Sequence, residues 1–171
     1  EKEKFDFIEE NYRIRDGKGN IKETWKFTEK QKEWYKAGIL FKQDIRQLRN
    51  RILGKHRGGG ATQAMIALES LLGLQVYPRA FVPVIAGVKE QAKYPRKYMK
   101  DLITDCKYKI ELSKPLNQQP EDSITFKEGG MFQAFSGDSP ESLHGPRALW
   151  GYVDEFARAR ELALGTGIPT P

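Results

Sequence analysis

The chain has 171 residues, is 39% hydrophobic and 30% charged, and carries a net charge of +6. It is long enough for one domain with a real core, and its longest apolar run, Ala80 to Val88, is too short to cross a bilayer and is broken by Pro83 and Gly87. A single cysteine, Cys106, rules out a disulfide framework and a cysteine-based metal site. The charged N-terminus reads as carrying no secretory leader, so an intracellular, soluble protein is expected.

In chain order, residues 1–24 are polar, with Asp16-Gly17-Lys18-Gly19-Asn20 as a turn between two short strands. A helix is predicted from Thr28, where Thr28 and Gln31 have capping-box spacing and Trp34, Tyr35 and Ile39 continue an apolar face. A strand near Arg49–Leu53 leads into a glycine-rich loop. The helix behind that loop carries Met65, Leu68, Leu71 and Leu72 on one face. Ala80–Ala86 reads as a buried strand with an irregularity at Pro83, and Val88–Cys106 as a helix that Pro95 kinks or restarts. The inner side of that helix is expected to carry Ala92, Met99, Leu102, Ile103 and Cys106. Ser113–Asp122 is a loop, followed by strands at Ile124–Phe126 and Met131–Phe135 about the Glu128-Gly129-Gly130 turn. Ala148–Val153 is the last strand. Strands alternating with helices predict an α/β domain on a mainly parallel sheet flanked by helices.

Two motifs carry chemistry. Gly54 to Thr62 reads Gly-Lys-His-Arg-Gly-Gly-Gly-Ala-Thr, close to the phosphate-binding loop G-x-x-x-x-G-K-[ST]. Gly58, Gly59 and Gly60 allow several backbone N–H groups to face one concavity, and the following helix N-terminus adds a positive dipole end. Thr62 takes the Mg²⁺-binding hydroxyl position, while Ala61 stands where lysine is usual. The missing charge must come from Lys55 or Arg57. Thr62 also suits a helix N-cap. The second motif is Asp154-Glu155 at the end of the last strand. There the aspartate would hold Mg²⁺ near Thr62, and the glutamate would polarise the water that attacks the γ-phosphate of ATP. Together the motifs predict a phosphate-loop NTPase of the catalytic-glutamate (ASCE) type, with Glu155 as base and Lys55 reaching the β- and γ-phosphates.

The chain resembles the ATPase domain of the large terminase subunit of tailed bacteriophages. Phe27-Thr28-Glu29-Lys30-Gln31 is similar to that family's adenine-recognition segment, and Arg57-Gly58-Gly59-Gly60-Ala61-Thr62 to its loop form R-x-x-G-[KA]-[ST]. Some branches carry alanine in the lysine slot and a lysine at the loop's start, as Ala61 and Lys55 do here. Phe135-Ser136-Gly137, His144-Gly145-Pro146-Arg147 and Val153-Asp154-Glu155-Phe156-Ala157 resemble the family's run into its acidic motif. The resemblance covers most of residues 25–160. It implies that Gln31 contacts adenine and that Arg57 senses or stabilises the γ-phosphate in cis. It also implies a motor that hydrolyses ATP with Mg²⁺ to package double-stranded DNA, working as a homo-oligomeric ring with portal and small terminase subunit. Its place would be the cytoplasm of an infected bacterium, docked on the procapsid. His144 and Arg147 are candidate links between nucleotide and DNA. The family's later coupling motif and nuclease domain are not recognisable, so residues 25–171 are expected to be an ATPase domain truncated before them, in the amino-terminal part of a longer protein.

Two other classes compete. A helicase-like translocase shares both motifs, but Asp-Glu-x-His/Asp helicases need His or Asp at the position held by Ala157. A non-hydrolysing nucleotide-fold module would have no reason to keep Lys55, Arg57 and Glu155. The basic stretches Arg46, Arg49, Arg51, Lys55, Arg57 and Lys89, Lys93, Arg96, Lys97, Lys100 fit a nucleic-acid partner.

Overall fold

Phe5, Ile8 and Tyr12 recur at helical spacing, and in the structure they are buried on one face of the opening segment. A computed structural model describes residues 1–22, 25–42, 51, 60–137 and 147–154. Its contacts divide the chain into two compact units, Glu1–Val76 with Tyr98–Ile110, and Tyr77–Lys97 with Glu111–Pro171. The fold is α/β and includes a mixed four-stranded sheet.

The first unit opens with α1 (Lys2–Asn11), a helix the sequence reading missed. The predicted hairpin follows as β1 (Ile14–Arg15) and β2 (Ile21–Lys22), antiparallel, with Gly19 at φ 87°. The Asp16 carboxylate accepts N–H bonds from Asn20 (2.9 Å) and Lys18 (2.8 Å), which close the turn. Next, α2 (Glu29–Lys36) starts on the predicted capping box. Phe5, Phe27, Tyr35 and Phe41 then build an aromatic cluster, with Phe5–Phe27 centroids 5.2 Å apart and Phe27–Tyr35 4.9 Å apart.

The helix behind the glycine loop differs from expectation. Residues Ala61–Ala67 form a π-helix that passes into α3 (Leu68–Val76). Every residue from Ala61 to Leu74 except Thr62 is buried, so the helix has no solvent face. Leu68 N–H reaches back five residues to Gln63 O. When turns narrow from five residues to four, one carbonyl is passed over by the backbone. The next oxygen in the series, Ala64 O, accepts the Tyr35 hydroxyl in a short bond. A side chain from α2 thus bonds to the backbone beside the change of pitch. The Gln63 amide, oriented to satisfy its partners, exchanges two bonds with the Arg15 backbone (3.1 and 3.0 Å). Arg15 in turn forks onto Asp105 at 2.5 and 2.7 Å.

At the far end of α3 lies a closed ring of hydrogen bonds. Gln75 Nε2 donates to the Tyr12 hydroxyl (2.7 Å), the two phenols of Tyr12 and Tyr108 touch, and Tyr108 donates to Gln75 Oε1 (2.8 Å). Burial pushes the Tyr108 phenol up from 10 to about 12. The folded state thus holds this proton more tightly than the unfolded chain. Its stabilising contribution is complete below pH 10 and is lost as pH rises through about 12. Tyr108→Phe should flatten the stability–pH curve above pH 10, the ordinary phenol value, in denaturant titrations; an unchanged alkaline slope would remove Tyr108 from this role.

The second unit holds β3 (Phe81–Ala86), β4 (Ser123–Thr125), β5 (Met131–Ser136) and β6 (Tyr152–Val153), in the order β4-β5-β3-β6. Strands β5, β3 and β6 run parallel, and β4 pairs antiparallel with β5 across the predicted turn, where Gly129 has φ 95°. The expected irregularity at Pro83 is absent. The β3–β5 register runs unbroken from Phe81↔Met131 to Ala86↔Ser136. In a parallel strand, alternate residues address alternate neighbours. Ala80 O and Ala86 O accept from Met131 and Gly137 on the β5 side, whereas Phe81 O and Ile85 O accept from Leu149 and Asp154 on the β6 side. The missing N–H of Pro83 therefore falls on the β6 side, where pairing begins only at Val84↔Tyr152. No bond to β5 is lost.

Gly151 passes against that proline. A Cβ on Gly151 would lie 2.9 Å from both Pro83 Cγ and Pro83 O. Gly151→Ala should push β6 away and lower stability by about 1–3 kcal/mol, read as a shift in urea midpoint. An unshifted midpoint would mean that β6 yields freely. The expected last strand, Ala148–Val153, contracts to Tyr152–Val153.

Helix α4 (Lys89–Asp105) continues through Pro95, so of the two expected effects Pro95 does not start a second segment. Its first half groups with the second unit and its second half with the first. Of its predicted inner residues, Met99 and Leu102 are buried, while Ala92, Ile103 and Cys106 are half-buried. In the loop before β4, the Gln119 side chain replaces backbone pairing. Its Nε2 donates to Lys114 O (2.9 Å) and Thr125 O (3.0 Å), and its Oε1 accepts Thr125 N–H (3.2 Å).

Candidate functional site

The structure brings the end of the glycine loop together with Gln31. Gly60 has φ 67° and ψ 15°, in the left-handed region, and stands as N-cap of the helix that begins at Ala61. That conformation costs a residue with a side chain about 1–2 kcal/mol, so the glycine is required by its backbone. Space is not the constraint, since a Cβ there would meet Gln31 Nε2 at an ordinary 3.8 Å. Gln31 is only 7% exposed. Its Oε1 accepts Thr28 N–H (3.0 Å), and its own N–H donates to Thr28 Oγ1 (3.3 Å). With the carbonyl committed to the cap, the amide Nε2 is the edge turned to the loop's exit. The capping box thus does two jobs: it starts α2 and orients an amide donor beside Gly60.

Thr62 is half-buried and is the second residue of the helix, so it is not the N-cap considered above; Gly60 is. Ala61 is 7% exposed, which makes the usual lysine slot a packing position in this chain. The backbone of the opening helical turn points its N–H groups toward the loop, where an anion is favoured. Lys55, Arg57, Gly58, Gly59, His144 and Glu155 lie outside the described residues; of the strand expected near Arg49–Leu53 only Arg51 is described, and it is not in a strand.

In the second unit, Asp154 directly follows β6 and is half-buried. Its N–H donates to Ile85 O (2.7 Å), and Gly137 N–H donates to Ala86 O (2.7 Å). Asp154, Gly87 and Gly137 accordingly share the carboxyl edge of the parallel strands, the edge at which α/β sheets bind ligands. Arg147 is exposed. Along α4, Lys89, Lys93, Lys97 and Lys100 are exposed and Arg96 half-buried, and Lys93 bridges Glu90 at 3.1 Å.

Some residues at the loop's base went unnoticed in the sequence. Glu69 is fully buried and pairs with Arg51 (3.0 Å), while the Trp34 indole donates to it (3.0 Å). The signal was present: Glu69 is a lone acid within the apolar run Ala64 to Leu74. Cys106 donates to Tyr108 O, and burial raises its thiol, which makes it a poor nucleophile.

Among the described residues, no helix is long and apolar enough to cross a membrane, and no cluster of His, Cys, Asp and Glu is arranged to hold a metal ion. A nucleotide-bound Mg²⁺ does not need such a cluster, because phosphate oxygens and water supply most of its ligands. The Thr62 hydroxyl in the first unit and the Asp154 carboxylate in the second are each half-buried oxygen donors of the kind Mg²⁺ takes. Comparison with protein-family models, curated proteins and solved structures finds no match for this chain.

Proposed function

We propose that the chain is the ATPase domain of a large terminase subunit, built on a phosphate-loop NTPase fold and coupling ATP hydrolysis to movement of double-stranded DNA into a procapsid. The observation that carries this is the left-handed Gly60 at a helix N-terminus with the Gln31 amide beside it. A glycine-rich stretch that ends in this way supports a phosphate loop, and a buried glutamine fixed by its own capping box supports a nearby base-recognition group.

In this reading Gly58, Gly59, Gly60 and Ala61 present backbone N–H groups to the phosphates, and Lys55 and Arg57 supply the positive charge that Ala61 does not. Mg²⁺ held by Thr62 and Asp154 would neutralise charge on the phosphate oxygens. Glu155 accepts the proton of the attacking water, and Gln31 donates to the adenine edge. The exposed lysines of α4 offer one cationic surface to duplex phosphates. Ring formation, the portal and small-subunit partners, and work on the procapsid in the host cytoplasm belong to the same proposal.

Phosphate release by the full-length protein tests it. Duplex DNA should stimulate ATP hydrolysis, and Lys55→Ala and Arg57→Ala should each lower turnover by about a hundredfold or more, on the scale of losing a cation at the transferring phosphoryl group. Unchanged turnover in Lys55→Ala would sink the displaced-lysine assignment. No hydrolysis by the wild type, with or without DNA, would sink the proposal.

A further inference from the structure

Glu69 sits where a charge is expensive. Its side chain is 0% exposed and that of Arg51 17%. Taking both ions out of water costs several kcal/mol each, and a well-packed apolar pair often serves stability as well or better. What a charged pair adds is direction, and here the direction is set several times over. Arg51 Nη2 donates to both Glu69 oxygens, at 3.1 and 3.0 Å, and Arg51 Nη1 donates to Trp34 O at 2.6 Å. The guanidinium lies 4.2 Å from the centre of the Trp34 ring, whose Nε1 donates to Glu69 at 3.0 Å. Gly38 closes the remaining side: a Cβ there would come within 1.8 Å of Glu69 Oε1 and 2.7 Å of Arg51 Nη1.

The placement of these residues along the chain gives the cluster its meaning. Arg51 stands just before Gly54, where the glycine loop begins, and Glu69 lies on the helix that leaves the loop. Trp34 is on α2, the helix that carries Gln31. One buried cluster therefore joins Arg51, the helix that begins after Gly60 and the glutamine helix.

We propose that Arg51 and Glu69 are positioning residues for the nucleotide: their ion pair, braced by Trp34, holds the helix that begins after Gly60 against the helix that carries Gln31, and so presets the spacing between Gly60 and Gln31. This rests on the nucleotide-binding reading above. Two helices whose spacing is already fixed have less freedom to lose when a ligand binds beside Gly60 and Gln31, so the pair acts on ground-state affinity. Neither side chain needs to touch the nucleotide. Losing the pair should weaken nucleotide and transition-state binding alike, raising KM and sparing kcat.

The test is equilibrium binding of a fluorescent ATP analogue, with KM and kcat, on full-length Glu69→Gln and Arg51→Lys proteins below their melting temperatures. Glu69→Gln should raise Kd and KM about tenfold or more, the scale of losing an orienting partner. Its kcat should stay within about twofold. Arg51→Lys, which keeps the charge but loses the planar face over Trp34, should fall between it and the wild type. If Glu69→Gln does not fold, Arg51→Lys decides the matter alone. Variants that melt lower but bind with wild-type Kd would overturn the inference, because a merely structural cluster moves only the melting temperature. A wild type that binds no nucleotide overturns the functional reading, and the inference with it.

Discussion

Glu155→Gln is expected to bind ATP as the wild type does and to lose hydrolysis by about 10²–10⁴-fold, the usual contribution of a positioned general base. The substitution keeps the size of the side chain and its hydrogen-bonding reach but removes the carboxylate that, in the proposed function, takes a proton from water. Its neighbour anchors the expectation. Asp154 is tied to the sheet through its N–H to Ile85 O (2.7 Å), at the carboxyl edge of the parallel strands. That edge is where α/β sheets place their ligands, and Glu155 is the next residue in the sequence. Equilibrium nucleotide binding and single-turnover phosphate release separate the two effects. Wild-type release by Glu155→Gln would refute the assignment, whereas loss of both binding and release would show that the acidic residue supports the fold.

Gly38→Ala should be the most damaging small substitution in the first unit. The added methyl would fall 1.8 Å from Glu69 Oε1. The end of a long side chain usually moves aside at little cost. This one is fully buried and bonded to Arg51 and Trp34, so it can move only by breaking a desolvated ion pair. Disrupting such a pair costs about 3–5 kcal/mol, a large share of the roughly 5–15 kcal/mol that holds a domain folded. Gly17→Ala is the control, because a Cβ at that position has nothing within 4 Å. Urea midpoints compare the two, and a loss below about 1 kcal/mol for Gly38→Ala would mean that the cluster has slack.

The capping box of Thr28 and Gln31, the Asp16–Asn20 turn and the Gly129 turn could be read from the residues because their bonds close within a few positions. Periodicity found α4 as well, although Pro95 was expected to kink or restart it. Helix α1 had a legible signal in Phe5, Ile8 and Tyr12, hidden by the acidic and basic residues between them. The Gly60–Gln31 approach was half legible. The glycine run and the glutamine were each notable, but their adjacency belongs to the fold.

Local chemistry in the sequence therefore determined where several elements start and turn, and that the class is α/β. Tertiary structure decided what local rules price wrongly. The helix behind the loop takes a π pitch over Ala61–Ala67, where a hydroxyl from α2 bonds to Ala64 O. Pro83 lies inside a parallel sheet because its missing donor falls on the side where pairing has not yet begun and Gly151 leaves room. Glu69 lies in an apolar helix because Arg51 and Trp34 arrive from distant positions to meet it. In each case the penalty is written into one residue, and the group that relieves it stands far away in the chain.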